Sequence, residues 1–249
     1  MKRIFFAFCR LFIKSEKTRL KILSYLYKNE IKWSLLANAI ADPYGHGMLN
    51  LMMNTAGIKE RYRDVFFKIG QDDICIDCGT NTGIVSDIIL RCGGISYAFE
   101  PSKDAFMFLN RKYKDNPRIN LINAAVSNKN GETIFNTDSA FDGGAHITNP
   151  ETPLNYERFN KYTVKVIRLT DFIKNILSSH KKIYLLKLDV EGEEFNILED
   201  LLKTETYKNI DYIFCETHER FGKTLKARLK TLKKEIKTKN IKNLYLDWI

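Results

Sequence analysis

Six ionisable residues, Asp77, Glu100, Asp189, Glu191, Glu216 and His218, follow apolar runs in the chain, and the amide Asn123 follows another. Carboxylates and an imidazole brought within reach of one another can do two kinds of work. They can accept hydrogen bonds from the hydroxyls of a ligand, and they can take the proton of an alcohol as it turns nucleophile. Asp189 or His218 is the expected base, with Glu191 and Glu216 orienting it or binding hydroxyls. The same set could hold a divalent cation that lowers a hydroxyl pKa. Catalysis without a metal is the favoured expectation, so no residue is assigned as a metal ligand.

The elements that must position these groups start at residues 73–86, DICIDCGTNTGIVS. The apolar run around Ile74 and Ile76 suits a strand buried on both faces. It ends in Asp77, Gly79, Asn81 and Gly83, and a helical pattern follows through Ile84, Val85, Ile88, Ile89 and Leu90. Strand, glycine turn and helix make the first half of a nucleotide-binding βαβ unit. Such a unit needs an acid about twenty residues on, at the next strand end, to receive ribose hydroxyls. Glu100 stands there, after the candidate strand 96–99 and before Pro101 and Ser102. A dinucleotide site would want G-x-G-x-x-G and a pyrophosphate on the helix N-terminus. Here the glycines are spaced Gly-x-x-x-Gly, and Asp77 precedes them. A carboxylate there repels a pyrophosphate and suits an amino-acid ammonium. S-adenosylmethionine (SAM) carries a ribose and an ammonium and no phosphate, so it is the expected cofactor.

Further strands are expected at 119–123, ending in Asn123 and followed by Ala124 and Ala125, then at 132–136, 162–168, 183–188, 212–215 and 244–249. Helices are expected at 103–114, at 170–178 with Thr170 as its cap, after Glu194, and at 223–239. Alternating strands and helices imply an α/β fold, a doubly wound, mostly parallel sheet with its ligand at the carboxyl ends of the strands. The strand-end residues therefore converge on one crevice. Residues 1–65 read as an N-terminal helical cap and 66–249 as the cofactor-binding domain. The turn cluster 42–47 supplies Tyr44 and His46 as candidate substrate contacts. The polar loop 137–160, with Asp-Gly-Gly-Ala-His ending at His146, is expected to shape the acceptor pocket.

The net charge is +10 over 249 residues. It belongs to the ends: residues 1–35 hold nine Lys/Arg against two acids, and 222–249 hold the same numbers. The middle is thus mildly acidic. Solvated helix faces explain such ends, and so does attraction to anionic lipid or to an anionic substrate. The first fourteen residues imitate a signal sequence, but Arg10 interrupts the apolar run and no small-residue cleavage site follows. A packed helix, or an interfacial helix giving residues 1–35 peripheral contact with a membrane, is expected instead. The five cysteines are scattered and odd in number, which fits a reducing cytoplasm. Cys75 and Cys78 face opposite sides of a strand and are not expected to share a metal or a disulfide.

With these pieces in place the sequence resembles the FkbM family of SAM-dependent methyltransferases. The resemblance rests on DCGTNTG at 77–83, AFEP at 98–101, NAAVS at 123–127, LLKLDVEGEEFNIL at 185–198 and ETHE at 216–219. It implies a Rossmann-like class I methyltransferase fold and O-methylation of a carbohydrate, nucleotide-sugar or surface-glycan precursor. Only one strand is visible after residue 240, where that fold usually ends in two. An N-methyltransferase acting on a small amine or phosphoryl-linked group is the alternative, as is a non-catalytic SAM-binding scaffold. Nucleic acid is not an expected partner, because acids at 189–194 would repel a phosphate backbone. The oligomeric state is not legible.

Overall fold

The structure, a computed structural model, describes residues 47–138, 144–148 and 160–249. The described residues fall into two units, one comprising 47–67 with Ile249 and the other Lys68–Trp248. The first unit is helical, with α1 (Gly47–Thr55), a 3-10 turn at Glu60–Tyr62 and α2 (Arg63–Phe67). Leu51, Met52, Met53, Ile58 and Phe66 are its buried side chains among the described residues. The rest of the expected cap, including Tyr44 and His46, lies outside the described residues.

The second unit alternates strand and helix. Its chain order is β1 (Ile74–Cys78), α3 (Ile84–Cys92), β2 (Ile95–Phe99), α4 (Lys103–Lys112) and β3 (Ile119–Ile122). Next come β4 (Ala125–Ser127), β5 (Gly131–Thr137), β6 (His146–Ile147) and β7 (Asn160–Arg168). The chain closes with α5 (Leu169–Leu177), β8 (Ile183–Leu188), α6 (Glu194–Lys203), β9 (Ile210–Cys215), α7 (Lys223–Thr238) and β10 (Leu244–Tyr245).

Six of these strands form one sheet in the order β10-β9-β8-β1-β2-β3. Every pair in it is parallel. This is an α/β, Rossmann-like sheet, and its order reverses between β1 and β8, where such sheets take their ligand. β1 and β8 are buried at every position, as expected of central strands covered by helices on both faces. The helices supply the cover: Leu198, Leu201 and Leu202 of α6 and Ile173 and Ile176 of α5 join Ile76, Leu186 and Ile213 in the core. The last strand is only two residues long and runs parallel to β9, so the expected strand over 244–249 is shorter than its apolar run.

A second sheet, β4-β7-β5-β6, was not foreseen as a unit. The antiparallel pair β5/β7 runs from Gly131↔Val166 to Thr137↔Asn160. β4 joins it in parallel, and β6 pairs with the end of β5. Its small core is Ala125, Phe135, Val164 and Val166. Strands as short as β4 and β6 leave too little alternation to be read from sequence. Thr170 is also not a cap. The cap position of α5 is Arg168, and the Thr170 hydroxyl donates to Asp200 Oδ2 at 2.6 Å.

Candidate functional site

The turn after β1 is held by its own backbone and by Glu100. Gly79 has φ +79°, and a Cβ built on it would lie 1.8 Å from the Asp189 carbonyl oxygen. Only glycine permits the turn to approach the β8 loop that closely. The amides of Gly79 and Thr80 both donate to the Phe99 carbonyl at 3.1 Å. Asn81, left-handed at φ 48°, donates its amide to Glu100 Oε2 at 2.7 Å, and Ser102 donates its amide to Oε1 at 2.8 Å. Burial raises the Glu100 pKa, and these two amide donations pull against the rise. Asn123 Nδ2 donates to the Glu100 and Pro101 carbonyls at 2.7 and 3.3 Å, so it fixes the turn that carries the acid. Gly83, at φ +87°, gives up its side-chain space to Tyr113, whose hydroxyl donates to the Gly83 carbonyl at 2.9 Å.

Beneath this loop lies a buried lysine. Lys187 Nζ donates to the carbonyls of Cys78 and Gly79 at 3.0 and 2.6 Å. It also lies 3.4 Å from Asp77 and 3.5 Å from Asp189. Burial alone would lower its pKa, but Asp189 and Asp77 outweigh burial and hold it above its ordinary value. Lys187 is therefore a fixed cation joining the glycine turn to the end of β8. A lysine inside an otherwise apolar strand run was the available signal, and the sequence reading did not use it.

The carboxyl ends of β8 and β9 gather four carboxylates around one imidazole. His218 Nδ1 lies 2.8 Å from Glu194 Oε1, and both side chains are fully buried. His218 Nε2 lies 3.2 Å from Glu191, 3.6 Å from Glu216 and 3.9 Å from Asp189. Burial would lower the histidine pKa, but Glu191 and Glu194 raise it to about 10. His218 is thus an imidazolium at neutral pH, the cation of the cluster. Burial and the neighbouring Asp189 raise the Glu216 pKa, against His218 and Arg220, which lower it. Glu191 is held in the left-handed region at φ 54°, which turns its carboxylate toward the ring. Glu194, in the first turn of α6, also accepts the amides of Val190 and Gly192 at 2.9 Å each.

A partly open cavity of about 90 Å³ is walled by parts of this arrangement. From the glycine turn and the β2 end it is lined by Gly79, Asn81, Glu100, Pro101 and Ser102, and from the end of β3 by Ala124 and Ala125. Asp189, Glu191 and Glu193 line it from the β8 end, and Phe135, His146 and Ile147 from the second sheet. His146 Nδ1 lies 2.8 Å from the Gly144 carbonyl. That oxygen can only accept, so the Nδ1 atom carries the hydrogen of this bond.

Several expected residues therefore have other positions. Asp77 does not line the cavity. It is fully buried, accepts Ser86 Oγ at 2.7 Å and faces Lys187, so the ammonium contact expected of it is taken by a lysine. Gly83 and Asn123 shape the turns and do not line the cavity. His218 and Glu216 do not line it either. The proposed base His218 is instead held toward its protonated form by the carboxylates around it, chiefly Glu191 and the buried Glu194. Glu193, which the sequence does not single out, also lines the cavity. It accepts bonds from Ser127 and from Asn196 at 2.9 Å. Among the described residues, Asp189, Glu194 and His218 offer ligand atoms within 4.8 Å of one another, but the Glu194 oxygens already serve two amides and the imidazole. Cys75 and Cys78 are fully buried free thiols with raised pKa values, chiefly from burial, which is a setting for inert cysteines. No helix among the described residues is long and apolar enough to cross a membrane.

Residues 77–236 match the family model described as "Methyltransferase FkbM domain". No curated protein matches the sequence. Among solved structures, the chain is similar to a methyltransferase FkbM from Methylobacillus flagellatus KT. The two are 15% identical with a TM-score of 0.43, over 84% of this chain and 53% of that one. It is also similar to the plantazolicin methyltransferase BpumL in complex with SAH, at 16% identity and a TM-score of 0.28, over 81% of this chain and 62% of that one. The chain thus spans about half the length of the first of these structures.

Proposed function

The chain belongs to the FkbM family of SAM-dependent methyltransferases, and on that premise we propose that it methylates a hydroxyl of a carbohydrate, nucleotide-sugar or surface-glycan precursor. The observation that carries this reading is the single cavity whose wall includes both Glu100 with the glycine turn and the acids Asp189 and Glu191 with His146. The residues fit the cofactor. Glu100 offers a carboxylate at the cavity wall for ribose hydroxyls, and the alanines at 124 and 125 leave room for a flat apolar ring. When bound, SAM supplies a methyl group on a sulfonium, ready for in-line displacement.

The protein's own task is to align an acceptor oxygen and receive its proton. Asp189 and Glu191 can accept hydrogen bonds from adjacent sugar hydroxyls and so orient the ring. His146 Nε2 takes the proton of the attacking hydroxyl, with Nδ1–H held on the Gly144 carbonyl. Glu193, bonded to Ser127 and Asn196, closes the floor between the two sheets.

The test is transfer of labelled methyl from SAM to a panel of nucleotide sugars and oligosaccharides. Transfer to a hydroxyl is expected, and His146→Gln should cut kcat by about 10²–10⁴ while leaving SAM affinity unchanged. Unchanged kcat in that variant removes His146 as the base. Transfer only to amines replaces the O-methylation reading, and SAM binding without any transfer leaves the scaffold reading.

A further inference from the structure

Helix α7 wears its charge on one side. Lys223, Lys226, Lys230, Lys233, Lys234 and Lys237 are all exposed, and none has an ion-pair partner among the described residues. At 3.6 residues per turn they fall within an arc of about 100°, along about 21 Å of helix axis. No acid lies inside that arc. The single acid of the helix, Glu235, sits on another side and pairs with Lys239 at 2.7 Å. Arg228 is likewise outside the arc and binds Glu199 with two nitrogens at 2.8–2.9 Å. Leu225 and Leu232 are buried, and Leu229 and Ile236 pack on the same core, so the helix is anchored and the stripe faces outward.

We propose that this lysine stripe is a docking face for an anionic lipid surface. A straight row of like charges on a rigid helix matches an extended negative plane, and the energy of each lysine there is additive and screened by salt. The composition argues against a single phosphate site, which favours the bidentate fork of arginine. It also argues against nucleic acid, since no aromatic side chain stands in the arc to stack a base. The sequence carries a second basic, partly apolar stretch. Residues 1–35 carry an equal excess of seven positive charges among Phe, Leu and Ile, and stable attachment to a membrane commonly takes two weak signals. A surface-glycan acceptor would be met at such a membrane, but the inference does not depend on the acceptor.

The full-length protein is sedimented with vesicles of phosphatidylcholine alone and of phosphatidylcholine with phosphatidylglycerol, at low and high salt. Binding is expected only to the anionic vesicles, and it should fall with salt. The combined Lys226→Gln, Lys230→Gln, Lys233→Gln and Lys237→Gln variant should lose at least about tenfold in partition. Lys230→Gln with Lys234→Gln should lose less. Thermal unfolding and SAM binding of both variants should match the wild type, since the residues touch neither core nor cavity. Partition of the fourfold variant equal to wild type overturns the proposal, as does equal binding to neutral vesicles. Tighter binding to an RNA oligonucleotide than to anionic vesicles, lost in the same variant, assigns the stripe to nucleic acid instead.

Discussion

Two halves of the cavity wall are held by different forces. Around Glu100 the restraints are hydrogen bonds from backbone amides: those of Asn81 and Ser102 to its carboxylate, and those of Gly79 and Thr80 to the Phe99 carbonyl. Around His218 the restraints are charges on side chains from the ends of β8 and β9 and the start of α6. The first half is set by local geometry and should tolerate salt, while protonation of the Glu100 carboxyl in acid should weaken its two amide bonds. The second half exists only while one imidazole stays protonated among four carboxylates. Lys187 joins the two, with bonds to the glycine turn and an ion pair to Asp189.

The largest expected effect breaks both halves together. Gly79→Ala drives a methyl group into the Asp189 carbonyl at a positive φ. It should cost at least about 3 kcal/mol of stability and abolish SAM binding. Urea unfolding and calorimetry measure the two losses, and a stable variant that binds SAM normally would show that the two loops move independently.

His218→Gln separates the halves. It leaves the buried Glu194 and the partly exposed Glu191 without a counter-ion, at a cost of about 3–5 kcal/mol. Adding Glu194→Gln should recover part of that loss. The pH dependence identifies the cause. The folded pKa of His218, about 10, lies above the ordinary 6.5. Its stabilisation is therefore complete below pH 6.5 and disappears as pH rises through 10. Wild type should lose stability over that window, and the variant should lack this component. Parallel curves for the two proteins would mean that the ring is neutral and the cluster is organised otherwise.

The smallest effect on the fold is expected from Glu100→Gln. One of the two amides loses its acceptor, so SAM affinity should fall at least about tenfold, with a change in unfolding midpoint well below that of His218→Gln. A calorimetric titration that gives wild-type affinity would remove Glu100 from the ribose contact.

How much was legible follows the same division. The βαβ start at 74–90, the strand-end acid Glu100 and the strand-helix alternation were readable because each is a local pattern of apolar spacing and turn residues. The family motifs were readable for the same reason, since each is a contiguous run. The second sheet was only half legible. β5 and β7 show apolar alternation, but β4 and β6 become strands only through pairing, β4 with the distant β7 and β6 with β5 across the polar loop. Glu194 and Lys187 were missed because periodicity gives them a helix face and a strand interior, and says nothing of the charges that meet them there. His218 illustrates the same point. A histidine beside acids reads as a base in sequence, and becomes a buried cation once four carboxylates from separate segments close on it.

The sequence by itself determined the parallel α/β sheet, the glycine turn and the family, because hydrophobic period, glycine placement and short motifs act over a few residues. Tertiary structure alone decided which of the acids face the cavity, which lie beneath it, and which histidine carries a proton. Those outcomes depend on burial and on the distance between charges contributed by residues far apart in the chain, and neither quantity is written in any local stretch of it.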